Sequence, residues 1–460
     1  MTGTTNRRHY YIAAADTRHH HQSFPEIPRP AYADRHGDHR WPAVTNANRG
    51  NGVADMTACP VHFDPLAPDQ LADPYPVYAR LRDEAPVYYD EQTDLWIVSR
   101  YEDVVAVARN PDVFSSENAV RASVKPFPEP VLEVLRSGWP LGPTLTDSDG
   151  DVHRRLRLLV SKAFTPKRIA AMEDDIRRTT DDLIDAFHAD GRVDIIERFA
   201  WHLPMIAITD ILDVPRADVP TLHHQSYNWL RLLQATDPVD DLVRYAEDVV
   251  AMQRYFMTAL RERRGDFMTG LLEARVAGGD PLTLEEAMRV PMNLIIAGHV
   301  TVTRSIGNGI TTLLAHPDQL AAVLNNPGLA PTMVEEIIRY ESPAQGLFRT
   351  VRADTTLGGV RIPAGARLMV HWGSANRDET AFDHPDTFDV TRDSAAVHVG
   401  FGKGIHTCLG APLARLQLRI ALPRLFQRLP GLRLVDGGAA RDTIFFARGF
   451  KKLEIEWDPA

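Results

Sequence analysis

Residues 401–410 read FGKGIHTCLG, and this short stretch decides the fold. Its cysteine, Cys408, lies among three glycines and is followed by a helix-like run from Ala411 to Leu422. Glycine adopts positive φ without strain and lets the backbone approach a flat ligand closely. Backbone N–H groups at the start of the following helix would stabilise a thiolate and lower its pKa. The stretch therefore indicates a cysteine suited to bind iron, with a buried structural cysteine in a turn as the alternative.

The stretch resembles the haem-binding loop of the cytochrome P-450 superfamily, whose pattern is Phe-Gly-x-Gly-x-His-x-Cys-x-Gly. The six fixed positions are all filled here, by Phe401, Gly402, Gly404, His406, Cys408 and Gly410. The resemblance implies haem b (iron protoporphyrin IX) as cofactor, with the Cys408 thiolate as axial ligand. A thiolate in that position pushes electron density towards the iron and favours O–O cleavage. Phe401, Gly402 and Gly410 would belong to the cofactor-binding loop.

A second motif is Glu336-Ile337-Ile338-Arg339, in a predicted helix from Ala330 to Tyr340. Residues three apart share a helix face, so Glu336 and Arg339 can pair. An isolated pair of this kind would be a solvated surface pair of little energetic weight. The resemblance implies instead the buried Glu-x-x-Arg of the family, completed by an arginine before the cysteine loop, which is Arg392. This triad would hold the scaffold and take no part in the chemistry.

A third motif is a basic run in which His153 and Arg157 lie four residues apart on one predicted helix face. The alternative is a plain basic helix surface over residues 153–168. Arginine suits carboxylate partners. The resemblance implies that His153 and Arg157 bind the haem propionates together with Arg349 and His406.

The fourth motif, within residues 294–303, resembles the family's distal helix, which normally reads Ala-Gly-x-Asp/Glu-Thr-Thr. Ala297, Gly298 and Thr301 match, but Val300 stands where the acid is expected. A threonine hydroxyl can bond back to a helix carbonyl and open the helix locally. The resemblance implies that dioxygen lies at this opening and that Thr301 assists its activation. His299 occupies the variable position, and its ordinary pKa suits a substitute proton carrier.

Val300 leaves three interpretations open. Water and Thr301 can suffice for proton delivery, or the substrate can supply a polar group. The third interpretation is a reaction other than hydroxylation, such as oxidative coupling, ring closure or desaturation. A hydrophobic residue on a buried helix is the structural alternative.

Composition narrows the class of protein. The 460 residues include 51 basic and 61 acidic ones, a net charge of −10, which disfavours general nucleic-acid binding. No stretch approaches the ~20 apolar residues of a membrane span. With Cys408 committed to iron, Cys59 has no disulfide partner, which favours a reducing compartment. We therefore expect a cytoplasmic protein with neither nucleic acid nor membrane as partner.

Residues 1–56 differ from the rest. They are rich in histidine, asparagine, arginine and aspartate and show no apolar periodicity. We expect a disordered extension, or a true translation start at Met56. The resemblance covers residues 57–460, which we expect to form a single catalytic domain.

The expected fold is mainly α with a small β region, the cytochrome P-450 fold. Periodicity predicts helices over residues 75–84, 166–188, 204–213, 240–264, 284–316 and 317–325, with one beginning at Tyr101. Strands are predicted at 95–98 and within 356–370. Residues 112–150 contain many prolines and read as one long loop.

The resemblance also places substrate near certain variable segments, and apolar side chains there suggest an organic substrate of substantial apolar area. These candidates are Phe127, Trp139, Trp229, Leu347, Phe348 and Phe446. Each of them could equally be ordinary core packing.

The implied function is a bacterial-type haem-thiolate monooxygenase that hydroxylates or otherwise oxidises such a substrate in secondary metabolism. Electrons would come from external NAD(P)H through ferredoxin and ferredoxin reductase, because no flavin or iron–sulfur motif is visible. A basic patch on the thiolate side would steer an acidic donor; its candidates are Arg154, Arg155, Lys162, Lys403, Arg415 and Arg419. Alternatives are a coupling, cyclising or peroxide-driven enzyme of the same family, or a non-catalytic haem-binding partner or sensor.

Overall fold

The computed structural model describes residues 61–458, apart from 62, 65–66, 92, 122–124, 276–279 and 445. The expected extension of residues 1–56 lies outside the described residues. In chain order the described helices are α1 (Pro68–Ala72), α2 (Tyr75–Glu84), α3 (Tyr101–Arg109), α4 (Glu129–Arg136), α5 (Gly150–Ser161), α6 (Pro166–Ala171), α7 (Glu173–Asp185), α8 (His202–Ile211), α9 (Val219–Gln234), α10 (Val239–Arg261), α11 (Gly265–Glu273), α12 (Leu284–Ala315), α13 (Pro317–Asn325), α14 (Ala330–Tyr340), α15 (Trp372–Ala375) and α16 (Ala411–Arg428).

The described strands form three small sheets. They are β1 (Val87–Asp90), β2 (Leu95–Val98), β3 (Phe114–Ser115), β4 (Arg192–Asp194), β5 (Gly346–Val351), β6 (Thr355–Leu357), β7 (Val360–Ile362), β8 (Arg367–His371), β9 (Arg433–Arg441) and β10 (Phe450–Glu456). The largest sheet has the order β1-β2-β8-β5-β3, and β2 and β8 run parallel. The others are β4-β10-β9 and the hairpin β6-β7. The expected α-rich fold with a small β region is confirmed.

Helix α12 forms the centre of the fold. Its first turn is closed by a capping box, in which Glu286 N donates to Thr283 Oγ1 and Thr283 N donates to Glu286 Oε2. Most of its residues are buried around the whole circumference, as expected for a helix surrounded by other elements. Helices α8, α9, α10 and α16 pack against it. Gly309 permits the approach of α16, since a Cβ there would lie 2.7 Å from Leu422 Cδ1.

The strongly periodic helices are confirmed. Helices α2, α13 and α14 begin and end at the predicted residues, and α12 ends one residue before the predicted end. Two expectations are wrong. Residues 112–150 contain helix α4, because its prolines Pro128 and Pro130 lie at the helix start, where a missing N–H costs nothing. The helix expected over 166–188 is divided at Met172 into α6 and α7.

The segment before the cysteine loop is fixed to α14 by a buried charge network. Arg339 donates to both carboxylate oxygens of Glu336, at 2.7 and 2.8 Å, and both side chains are fully buried. Arg392 Nε donates to Glu336 Oε1 at 3.2 Å, and the backbone N–H of Asp389 donates to the same oxygen. Arg339 also donates to the carbonyl of Asn376. The Glu336–Arg339 pair thus joins three chain segments: α14, the chain at Asn376 and the chain at residues 389–392.

None of the described helices is long and apolar enough to cross a membrane.

Candidate active site

The cysteine loop is a tight turn that leads into α16. Cys408 N donates to the carbonyl of Phe401 at 2.8 Å, and Gly402 N donates to that of Val399 at 2.8 Å. Gly404 has φ +72°, and a Cβ on it would lie 2.4 Å from the carbonyl oxygen of Ala108. The loop therefore needs glycine there both for its conformation and for its contact with α3.

The Cys408 sulfur lies in an electropositive setting. Burial raises the pKa of its thiol, whereas the backbone N–H groups of Gly410 and Ala411 and the charges of Arg157 and Arg415 lower it. The Cys408 side chain is nevertheless exposed. A ligand can therefore reach its sulfur.

The four predicted propionate-binding residues are brought together around an acid that sequence reasoning missed, Asp149. His406 Nε2 lies 3.4 Å from Asp149 Oδ1, and the His153 and His406 rings are 4.2 Å apart. Burial lowers the pKa of both His153 and Arg349, and the negative charge of Asp149 opposes this in each. The positive charge of Arg157 lowers the pKa of His153 further. No motif marks Asp149, because its role depends on contacts far along the chain.

Asp149 is held by several donors. Ser115 Oγ donates to it at 2.6 Å, Ser116 N at 3.0 Å and Arg352 Nη2 at 2.9 Å. Burial would raise the pKa of Asp149, but the hydrogen bonds, first from His406 and then from Ser115, outweigh it and hold the pKa at about 2. The carboxylate is therefore a permanent anion among cationic donors.

These donors fit a haem edge. His153 Nε2 is buried and has no hydrogen-bond partner among the described residues. Arg349 is buried, and its Nη1 donates to the carbonyl of Phe348 at 2.7 Å. Burial lowers the pKa of Arg349 to about 10, so the group remains a cation at neutral pH. An unpartnered donor beside buried cations suits a carboxylate ligand such as a propionate.

The middle of α12 is open on one side. Ala297 is exposed and Thr301 half-buried, although their neighbours on the helix are mostly buried. They lie four residues apart and so share a helix face. Thr301 Oγ1 donates to the carbonyl of Ala297 at 3.4 Å, and Ser305 Oγ donates to that of Thr301 at 2.9 Å. Gly298 contacts α8 closely, since a Cβ on it would lie 3.0 Å from Ile208.

His299 lies on a different face from Thr301. Two residues along an α-helix turn the side chain by about 200°. Its Nδ1 lies 2.7 Å from the carbonyl of Ile295, and the ring is buried. Burial lowers the pKa of His299 to about 4. This position disfavours His299 as the substitute proton carrier.

Val300 is buried in an apolar cluster. The cluster includes Leu230, Phe348, Ile444 and Phe446. It is built from α9, α12, β5 and the chain after β9. A valine at this position completes an apolar wall.

The six predicted pocket residues do not form one group. Phe348 and Phe446 lie in the Val300 cluster, with ring centroids 6.0 Å apart. Phe127, Trp139 and Trp229 pack in the larger helical core, and Leu347 packs in the core beside the main sheet.

Comparison with known proteins decides the family. The Cytochrome P-450 family model matches residues 205–430. Cytochrome P-450 107B1 of Saccharopolyspora erythraea is 36% identical, over 82% of this chain and 93% of its own length. Cytochrome P-450 monooxygenase PikC of Streptomyces venezuelae is 36% identical, over 87% of this chain and 95% of its own length.

The chain belongs to the cytochrome P-450 family. A solved structure, cytochrome P-450 CREJ in complex with (4-ethylphenyl) dihydrogen phosphate, superposes with TM-score 0.81 and 30% identity, over 86% of this chain and all of that one. The protein is thus a monooxygenase of the P-450 type with the P-450 fold. Its cofactor is haem with a cysteine thiolate as axial ligand, and its electrons come from redox partners.

A row of aromatic rings runs from α12 to the start of α8. The His223 ring is 5.3 Å from that of His299 and stacks on Trp201 at 4.0 Å, and Trp201 in turn stacks on His202 at 3.5 Å. Burial, and then the charge of His299, lower the pKa of His223 to about 2, and burial lowers that of His202 to about 4. These imidazoles are neutral in the folded protein at neutral pH. His224 differs, because its hydrogen bond to Asp248 raises its pKa.

We predict that His223→Phe reduces the acid sensitivity of folding. A histidine with a lowered folded pKa binds its proton more readily when unfolded, so stability falls as pH drops below the unfolded value of about 6.5. Removing His223 should recover about 1 kcal/mol of the stability lost between about pH 7.5 and about pH 5.5. Urea unfolding at the two pH values measures this. His224→Gln should steepen the loss instead, and an unchanged pH dependence in His223→Phe would contradict the prediction.

Proposed function

We propose that this protein uses haem b ligated by Cys408 to activate dioxygen and to oxidise a largely apolar organic substrate. The observation that supports this most directly is the Cys408 side chain, which backbone N–H groups hold from one side while its surface stays exposed. We further propose that residues 57–460 form one catalytic domain and that it works in the cytoplasm. The haem would supply the oxidising chemistry, and the protein would supply binding, orientation and proton control.

Each candidate residue has a role in this proposal. Cys408 tunes the iron, and Phe401, Gly402 and Gly410 shape its loop. The donors that hold the propionates are His153, Arg157, Arg349 and His406. Thr301, on the open face with Ala297, would donate a hydrogen bond to the reacting oxygen, and Gly298 lets α12 approach α8 closely. The remaining network, made of Glu336, Arg339 and Arg392, acts as support.

The substrate class follows from the wall beside α12. Val300, Phe348 and Phe446 pack in one buried apolar cluster beside the open face of α12, and apolar surroundings suit an apolar organic molecule. PikC is named a monooxygenase, and a relative from Pseudonocardia autotrophica is named vitamin D(3) 25-hydroxylase, which supports hydroxylation. We place the reaction in secondary metabolism on the same ground.

We predict that Cys408→Ala abolishes the thiolate signature. Dithionite-reduced protein with carbon monoxide should show a strongly red-shifted Soret band, because a thiolate is the axial ligand. The variant should lose that band. Cys59→Ser, which changes the only other cysteine, is the matched control and should retain it. A spectrum typical of histidine-ligated haem in the unmodified protein would refute the proposal and turn attention to a non-catalytic partner or sensor.

Oxidative coupling or cyclisation is the second candidate, favoured by Val300. Without a carboxylate at position 300, proton delivery for oxygen insertion lacks the general acid expected there, which is worth roughly 10²–10⁴-fold where it limits the rate. A coupling or peroxide-driven reaction depends less on that delivery.

We predict that the product carries one oxygen atom from dioxygen. Turnover under ¹⁸O₂ followed by mass spectrometry should show a gain of one labelled atom if the enzyme hydroxylates. A product that loses hydrogen and gains no label would establish coupling or desaturation. Label that comes only from H₂¹⁸O₂ would establish the peroxide-driven reaction.

For the redox partners we propose a ferredoxin and its reductase. Four of the six predicted basic residues are in ion pairs: Arg154 with Asp151, Arg155 with Glu286, Arg415 with Glu335 and Arg419 with Glu173. Positive charge nevertheless gathers beside the cysteine loop. The charge of Arg109 lowers the pKa of Lys403 there, after burial, and α3 contacts the loop through Gly404.

We predict that Lys403→Glu combined with Arg109→Glu slows reduction by a [2Fe–2S] ferredoxin about tenfold at low salt, because the charges steer the encounter. Stopped-flow reduction at several ionic strengths measures the rate. The variant should also lose most of the salt dependence. Lys451→Glu, which changes an exposed lysine of β10, is the control. Equal salt dependence in both variants would place the donor elsewhere.

A further inference from the structure

The chain between β9 and β10 returns to the central helix. We call residues 442–444 and 446–449 the return segment. Asp442 N donates to the carbonyl of Gly449 at 3.1 Å, which closes the base of the segment. Its far side is fastened to β5, where Gln345 N donates to the carbonyl of Phe446 at 2.8 Å. Arg448 N also donates to the carbonyl of Pro343 at 2.8 Å, so two backbone hydrogen bonds hold the segment to the chain just before β5.

A buried ion pair fastens the return segment to α12. Arg304 Nη2 lies 2.6 Å from Asp442 Oδ2, and the two side chains are only 4% and 6% exposed. The arginine stem lies flat on Gly449, where a Cβ would come within 2.4 Å of Arg304 Cγ. Tyr227 Oη also donates to Asp442, at 3.4 Å. Burial, and next the charge of Asp442, raise the pKa of Tyr227 to about 12, so its hydroxyl remains a donor.

The pair lies beside the buried apolar cluster that contains Val300, the neighbour of Thr301 on α12. Ile444 is fully buried and Phe446 nearly so, and both pack in the cluster that contains Val300. Asp442 and these two side chains belong to the same short segment. Arg304 lies one helical turn beyond Val300. A shift of Asp442 would therefore move the wall.

Charge balance explains why the pair matters more for geometry than for stability. A buried ion pair stabilises the folded state little more than an apolar pair of similar size, because the cost of desolvating the two charges offsets their Coulomb attraction. Arg304 also leaves Nε and Nη1 without partners among the described residues. Such a group is held in one place by its single carboxylate partner. Breaking the pair would leave a buried charge that must find another acceptor.

Val300 is part of this arrangement. Residues 300 and 304 are neighbours on one helix face, and an acid four residues before an arginine is the favourable orientation. A carboxylate at position 300 would thus compete with Asp442 for Arg304. The valine removes that competitor and leaves Asp442 as partner.

We propose that the Arg304–Asp442 pair is a specificity-determining tether, which sets the shape of the pocket by holding Ile444 and Phe446 against Val300. The proposal rests on the proposed haem function. Arg304 and Asp442 are positioning residues, since they act through the apolar wall. The apolar residue at position 300 is a requirement for the tether.

The test uses two haem ligands of different size, imidazole and 4-phenylimidazole, whose dissociation constants are read from the Soret shift of the haem-loaded protein. The ratio of the two constants reports the shape of the pocket and needs no substrate. We expect Arg304→Met and Asp442→Asn each to change the ratio at least fivefold. Arg304→Lys keeps the charge and should stay within twofold of the unmodified protein.

Two further variants complete the design. Val300→Glu keeps both partners and should change the ratio in the same direction as Asp442→Asn, by capturing Arg304. Asp181→Asn removes a partner of Arg424 and Arg428 and should leave the ratio unchanged. If Arg304→Met fails to fold, Val300→Glu and Asp442→Asn still decide the matter.

The outcomes separate the tether from the proposed function. A ratio within twofold of the unmodified value in Asp442→Asn and Val300→Glu, with haem still bound, overturns the tether and leaves the haem function intact. Failure of the unmodified protein to bind either azole overturns the haem function, and the tether with it.

Discussion

The structure depends on holding a negative sulfur inside a protein. A buried thiolate is costly unless donors and positive charge surround it. Burial raises the pKa of the Cys408 thiol, and the N–H groups of Gly410 and Ala411, at the start of α16, and the charges of Arg157 and Arg415 offset part of that rise. These groups come from two distant helices, α5 and α16, so the cysteine setting exists only when the whole helical body is assembled.

The same constraint explains the buried charge around the loop. Glu336 accepts hydrogen bonds from both Arg339 and Arg392, and this network fixes the chain that leads into the loop. On the other side of the loop Asp149 meets His406 and Arg352. Each network contains one acid and several cations. In the Glu336 network the arginine donors are used within the protein, whereas beside His406 the buried His153 Nε2 has no partner among the described residues and suits a ligand carboxylate.

Sequence reasoning succeeds where the determinants are local. The α12 capping box and the largely apolar character of that helix can both be recognised in the sequence, and α14 lies between clear boundaries. Contacts between residues far apart in the chain cannot be predicted from the sequence in this way. Asp149 looks like any loop aspartate until Ser115 and His406 are placed beside it, and Arg304 lies 138 residues from Asp442. The β9–β10 hairpin was not predicted, for a different reason. Strand β9 is mostly exposed and contains Gly437 and Gly438, so its sequence lacks the apolar alternation of a half-buried strand.

Val300 shows how a local departure can report a long-range arrangement. Taken alone, it is a missing acid on the distal helix. Beside Arg304, it is the absence of a competitor, since the positive charge one turn away is neutralised from another element. The positive charge of Arg304 on α12 is still balanced, but its partner is Asp442 instead of an acid at position 300. Because that partner carries the apolar wall, chemistry on α12 and the shape of the pocket become coupled through one ion pair.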